Sequence, residues 1–153
     1  MFTTIGQGDY VYEYQPDWAK LPPGHTFEGP SGVAVDSYDR VYVFQRRGPA
    51  VLVFDREGYF LNSWLRREGV PAEAHHIHVD PDDSVYLADR DAHQVLKYTT
   101  DGEMVLSLGN RDRPALQAPF NHPADMCVAP SGELYVADGY GNSSIHRFSA
   151  SGN

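Results

Sequence analysis

Three histidines crowd one short stretch of this chain, in Ala74-His75-His76-Ile77-His78. A neutral imidazole carries a nitrogen lone pair that suits zinc, and His75 stands where an extended run begins. His76 and His78 fall on one face of that run and can chelate together. The competing reading keeps all three as polar strand-edge residues. Tyr140, in Ala137-Asp138-Gly139-Tyr140, offers a phenol, which is a poor base unless a cation lowers its pKa. Otherwise it is a turn tyrosine packed on a loop. Arg46 and Arg47 stand together in Phe44-Gln45-Arg46-Arg47-Gly48. The single Cys127 cannot form an internal disulfide and reads as a buried structural thiol, because no activating context surrounds it. Asp36, Asp80, Asp89, Asp101 and Asp138 recur at strand ends, where a carboxylate caps a turn by accepting from nearby backbone amides.

The elements that must hold these groups repeat. His75 to Gly102 reads as short extended runs rich in Val, Ile, Leu and Tyr, separated by turns such as Asp80-Pro81-Asp82-Asp83. Ser31 to Gly58 and Ala124 to Gly152 are further copies. Val41-Tyr42-Val43, Val85-Tyr86-Leu87 and Leu134-Tyr135-Val136 superpose, at spacings of 85 − 41 = 44 and 134 − 85 = 49 residues. A four-stranded repeat of about 40 to 50 residues marks a β-propeller blade. The predicted fold is therefore all-β, with three blades over about 31–64, 74–109 and 122–153. Predicted strands run near 31–36, 40–45, 50–55 and 58–64, then 75–80, 84–89, 94–98 and 103–108, then 124–129, 133–138 and 144–148. Residues 1–30 are an N-terminal strand and connector: residues 1–8 are unpatterned, Asp9 to Tyr14 alternates as a strand, and Trp18, Leu21 and Phe27 anchor the connector. Leu65 to Glu73 is a polar crossover, and Gly109 to Asn121 is a longer excursion with an apolar tip at Leu116 and Phe120. Alternation predicts an inter-blade core of Val33, Val35, Val43, Ile77, Val79, Leu87, Met126, Val128 and Val136.

Composition narrows the partners. The net charge of −9 argues against nucleic acid or anionic membrane. No apolar run approaches a membrane span. Met1 to Tyr10 has neither a basic n-region nor an apolar h-region, which predicts a cytoplasmic location.

The pieces SGVAVD, RVYVFQRRG, HHIHVD, DAHQVLKY, HPADMCVAP and ADGYGNSSIHRFS resemble the NHL-repeat propellers of the peptidyl-α-hydroxyglycine α-amidating lyase type. The resemblance covers nearly all of residues 9–153, but about the first half of such a six-bladed domain. Those enzymes cleave a peptidyl-α-hydroxyglycine to a C-terminal amide and glyoxylate. The resemblance implies zinc held by three histidines from alternate blades, and His75 matches the first; the other two would lie beyond Asn153. It also implies Tyr140 as the catalytic tyrosine and Arg46 as its arginine partner, with Gln45 replacing a histidine common in that motif. The doubling with Arg47 leaves the register of Arg46 open. Calcium is held in that family largely by backbone carbonyls, which match Val33 and Ile77.

A metal-dependent, zinc-using lyase is thus the first expectation. A non-catalytic scaffold holding a peptide or small ligand at the channel mouth is the second. The third is a calcium-dependent lactone or ester hydrolase like the gluconolactonase-type propellers, for which Asp125 and Asn121 lie near suitable inner-strand positions. His76 and Asp125 are the candidate ligand-binding side chains. Three blades cannot close a ring, so a homodimer is expected to form one six-bladed propeller. The spare strand Asp9 to Tyr14 would complete the partner's third blade, giving (11 + 1) × 2 = 24 strands. Two-fold doubling would set the two His75 residues in opposite blades, which does not reproduce a site drawn from three alternate blades.

Overall fold

The computed structural model describes residues 3–66, 71–116 and 119–151. Parts of four sequence segments lie outside these: Met1 and Phe2 of the N-terminal stretch, residues 67–70 of the crossover, Gln117 and Ala118 of the long excursion, and the terminal Gly152 and Asn153.

The described chain is all-β, with strands β1 (Thr3–Gln7), β2 (Tyr10–Tyr14), β3 (Pro30–Val35), β4 (Val41–Gln45), β5 (Val51–Phe54), β6 (Phe60–Trp64), β7 (Ala74–Val79), β8 (Val85–Asp89), β9 (Gln94–Tyr98), β10 (Met104–Gly109), β11 (Asp125–Val128), β12 (Leu134–Asp138) and β13 (Ser144–Phe148). They form antiparallel meanders β3-β4-β5-β6, β7-β8-β9-β10 and β11-β12-β13, plus the pair β1-β2. The expected count of four, four and three is met. Turn chemistry sets the short strands. Asp36 accepts from the amides of Tyr38 and Arg40, and Asp80 from those of Asp82 and Ser84. The turn before β10 is closed instead by Thr99, whose Oγ1 accepts from Glu103 N–H, in the role the sequence suggested for Asp101.

Side chains alternate across each sheet, and the sheets stack through them. Tyr42, Phe44, Val51 and Val53 of the first sheet meet Ile77, Val85, Leu87 and Leu96 of the second. The opposite face of the second sheet, with Tyr86, Ala88 and Val95, meets Met126, Leu134 and Val136 of the third. Each buried aliphatic or aromatic side chain contributes about 1.5–3 kcal/mol. Phe120 wedges into that second interface, whereas Leu116 is exposed. In the connector, Trp18 and Leu21 pack on Val43, Leu52 and Phe54, and Phe27 keeps a ring contact with Phe54.

Four expectations need correction. Val33 and Val35 are 66% and 54% exposed, because they lie on the outward face of the first sheet, beyond the reach of the connector. Val79 and Val128 are half-buried packing residues at the edges of the interfaces. Cys127 is exposed rather than buried, since its strand position turns it to the outward face of the third sheet. The spare N-terminal strand has a partner: the unpatterned Thr3–Gln7 pairs with Tyr10–Tyr14 in a hairpin. Gly8, at φ 61°, supplies the left-handed backbone that its tight turn needs. The hairpin's strand residues are all exposed.

Candidate active site at one end of the sheets

The first strand of each sheet begins beside the end of the second, so strand starts and the loops after second strands share one end. Ala74 pairs with Asp89 and His76 with Ala88, which leaves His75 as the extra residue of a β-bulge. Ser31 holds the corresponding place between Pro30 and Gly32 in the first sheet. The bulge re-aims the His75 side chain across to the third sheet.

A common device anchors this end. The last residue of each second strand is a fully buried acceptor for the segment entering its own sheet. Gln45 Oε1 accepts from Glu28 N–H at 2.9 Å. The Asp89 carboxylate accepts from Ala72 and Glu73 N–H, both at 2.9 Å, and the Asp138 carboxylate from Asn121 N–H at 3.0 Å. Asp89 and Asp138 therefore tie connectors down, where the sequence suggested local turn caps. Gln45, which departs from the family motif, does the same work with a neutral amide.

On this frame the two central candidates meet. His75 Nδ1 lies 2.6 Å from the Ala124 carbonyl, and His75 Nε2 lies 3.1 Å from the Tyr140 hydroxyl. A carbonyl only accepts, so Nδ1 carries the proton and Nε2 presents its lone pair to the phenol O–H. A donating Nδ1 held by a backbone carbonyl is also the arrangement that prepares Nε2 for a metal. The two rings stand edge to face with centroids 5.5 Å apart.

Arg46 is linked to this pair through Glu73, with which it forms an ion pair. The Glu73 carbonyl accepts from Arg90 N–H at 2.9 Å, and the Arg90 guanidinium lies 5.5 Å from the centre of the Tyr140 ring. Asp91 grips Arg90 in a fork of 2.7 and 3.2 Å. That pairing raises the guanidinium pKa and holds the Asp91 carboxyl below the usual carboxylate range. Arg90 and Glu73 were missed from the sequence. Arg90 was within reach there, since 46 + 44 = 90 makes it the repeat equivalent of Arg46. Arg47 joins Arg46, Glu28 and Gly29 in lining a cleft next to this group.

The remaining candidates separate. His76 Nε2 pairs with Asp125 Oδ1 at 2.9 Å, joining the first strands of the second and third sheets. His78 Nε2 is buried, and burial with the neighbouring His76 charge pushes the His78 pKa down. Val33 and Ile77 lie on adjoining first strands; a Cβ on Gly32 would come within 3.0 Å of Ile77 Cγ2, so glycine permits this approach. Among the described residues, no three His, Cys, Asp or Glu side chains gather to hold an ion. The donors fit the implied zinc at one imidazole, that of His75.

Comparison with known proteins bears on the fold. The NHL repeat family model matches residues 120–148. The chain is 31% identical over 144 residues to NHL repeat-containing protein 3 of Homo sapiens, covering 86% of this chain and 40% of that protein. It is 38% identical over 81 residues to peptidyl-alpha-hydroxyglycine alpha-amidating lyase 1 of Drosophila melanogaster, covering 51% of this chain and 15% of that protein. Among solved structures, a streptogramin B lyase superposes with a TM-score of 0.62 at 13% identity, over 82% of this chain and 42% of that one. Virginiamycin B lyase from Staphylococcus aureus gives 0.59 at 17% identity, over 79% and 41%. The chain thus spans less than half the length of each of these proteins.

Proposed function

From the premise that this chain belongs to the NHL-repeat propellers of the peptidyl-α-hydroxyglycine α-amidating lyase type, we propose that it carries part of a metal-dependent lyase site for that class of substrate. The observation that carries the reading is the 3.1 Å contact between the Tyr140 hydroxyl and His75 Nε2. Tyr140, acting as the phenolate after giving up its own proton, takes the proton of the substrate's α-hydroxyl, the C–N bond breaks with its electron pair passing to the amide nitrogen, and glyoxylate leaves as that nitrogen takes the proton back from Tyr140. Arg46 meets the substrate carboxylate after exchanging Glu73 for it, a replacement of one carboxylate by another. His75 Nε2 would hold zinc, and main-chain oxygens of Val33 and Ile77 would hold calcium. Zinc, when bound, supplies Lewis acidity toward the substrate's oxygen atoms. A metal on Nε2 takes the lone pair that the Tyr140 hydroxyl now uses, so metal binding and the phenol's hydrogen bond are mutually exclusive.

Calorimetric titration with zinc and glyoxylate release from a peptidyl-α-hydroxyglycine test this reading. Wild type is expected to bind zinc, and His75→Ala to weaken binding at least tenfold, because one imidazole of the donor set is lost. Tyr140→Phe is expected to keep zinc and lose glyoxylate release. Zinc binding indifferent to His75 would refute the metal role. Ligand binding without glyoxylate release would leave a scaffold.

The outer faces support a reading of the assembly. The outward face of the first sheet (Val33, Val35) and that of the third (Cys127, Tyr135, Ala137, Ile145) are the repeat equivalents of the two surfaces buried between sheets within the chain. Two copies of the 153-residue chain pair these faces in a six-bladed ring, with the exposed Tyr10–Tyr14 hairpin strand beside the partner's β13 edge. Light scattering is expected to give twice 17.1 kDa. A stable monomer at that mass excludes the ring. Two copies supply two His75 side chains, so activity that requires a third histidine would need a partner bearing it, and the mass and glyoxylate measurements are independent.

A further inference from the structure

We infer that Arg90 is a positioning residue for Tyr140, holding the phenol ring beside the His75 imidazole; the inference rests on the reading of Tyr140 as the base. Tyr140 sits in the loop between β12 and β13, is 62% exposed, and has little of its own strand to fix its ring. What lies against it is borrowed from the second sheet: His75 Nε2 at the hydroxyl and the Arg90 guanidinium over the ring.

Arg90 is well placed for this task because its own freedom is gone. Asp91 grips Nε and Nη2 in a fork, and the Arg90 N–H is tied to the Glu73 carbonyl. Glu73 in turn is held through its amide by the buried Asp89 carboxylate. A cation held over a phenol face is attractive and limits the ring's movement. A free Tyr140 would sample other side-chain rotamers, and a displacement of about 1 Å already costs a proton-transfer geometry much of its efficiency.

The same network connects the two arginines. Glu73 pairs with Arg46 through its carboxylate and receives Arg90 through its carbonyl, so Arg46, Arg90 and Tyr140 are registered against one residue. Arg46 and Arg90 are repeat equivalents with different duties. Arg46 is half-exposed and available to an incoming carboxylate, whereas Arg90 is committed to Asp91 and the phenol ring.

The test uses the full chain labelled with 13C-tyrosine and 15N-histidine, in wild type, Arg90→Met and Arg90→Lys. Arg90→Met keeps the aliphatic stem and removes the planar cation. Ring-to-ring NOEs between Tyr140 and His75, assigned with Tyr140→Phe, are expected to fall at least threefold in Arg90→Met, and to be partly restored in Arg90→Lys. The backbone fingerprint and unfolding midpoint should stay close to wild type. In the glyoxylate assay Arg90→Met is expected to lower kcat about tenfold with KM nearly unchanged. Undiminished NOEs in Arg90→Met would overturn the positioning role. NOEs that fall in a protein releasing no glyoxylate would uphold it while removing the lyase reading, so the two failures are distinguishable.

Discussion

Ile77→Asp is expected to remove most of the chain's stability. Ile77 is 1% exposed and sits between the first two sheets among Tyr42, Phe44, Val51 and Leu87. Its Cγ2 lies where Gly32 leaves room, with no space for a hydrated carboxylate. An aspartate there loses the burial of a large aliphatic group, about 1.5–3 kcal/mol, and must stay neutral or bury an unpaired charge. Together these exceed about 4 kcal/mol, against a total stability of about 5–15 kcal/mol for a domain. Val33 occupies the equivalent repeat position but is 66% exposed. Val33→Asp, measured where the chain is monomeric, should change stability by less than about 0.5 kcal/mol. It should weaken association instead. Urea unfolding followed by circular dichroism separates the two, and equal midpoints for Ile77→Asp and wild type would refute the stacking described here.

The contrast between Ile77 and Val33 also shows how far the sequence could be read. Period-two alternation places both on the same face of their sheets, and the 44-residue spacing makes them equivalents. What alternation cannot report is whether another sheet covers that face. Ile77 has the first sheet in front of it, whereas Val33 and Val35 have open surface. Cys127 was misjudged for the same reason on the third sheet. Strand positions were legible because Asp, Pro and Gly punctuate short apolar runs. Thr3–Gln7 was not, because it shows no apolar–polar alternation and Gly6 interrupts it, so pairing with Tyr10–Tyr14 decides its state. At the site, the sequence brought out His75, Tyr140 and Arg46, and the fold joins the first two directly. The bulge that aims His75 and the connector contacts that set Glu73 depend on long-range hydrogen bonds, which have no local signature.

Those contacts make Asp89→Ala the second large effect. The Asp89 carboxylate is fully buried and accepts from the amides of Ala72 and Glu73. Hydrogen bonds to a charged acceptor are worth about 1.5–3 kcal/mol each, and an alanine leaves two part-buried amides of the connector just before β7 without their acceptor. A loss of about 3 kcal/mol or more is expected. The damage should also be directional. Glu73 bears Arg46 on its carboxylate and Arg90 on its carbonyl, and Ala74 and His75 follow it in the chain. Asp89→Ala should therefore weaken zinc binding at His75, which a general loss of stability does not do under conditions where the chain remains folded. Asp89→Gln is expected to recover part of both effects, because Gln45 already performs this task in the first sheet by accepting from Glu28 N–H through Oε1. Urea unfolding gives the stability, and hydrogen exchange at Ala72 and Glu73 gives the local contribution. Unchanged protection of those two amides in Asp89→Ala would show that the carboxylate does not hold the connector.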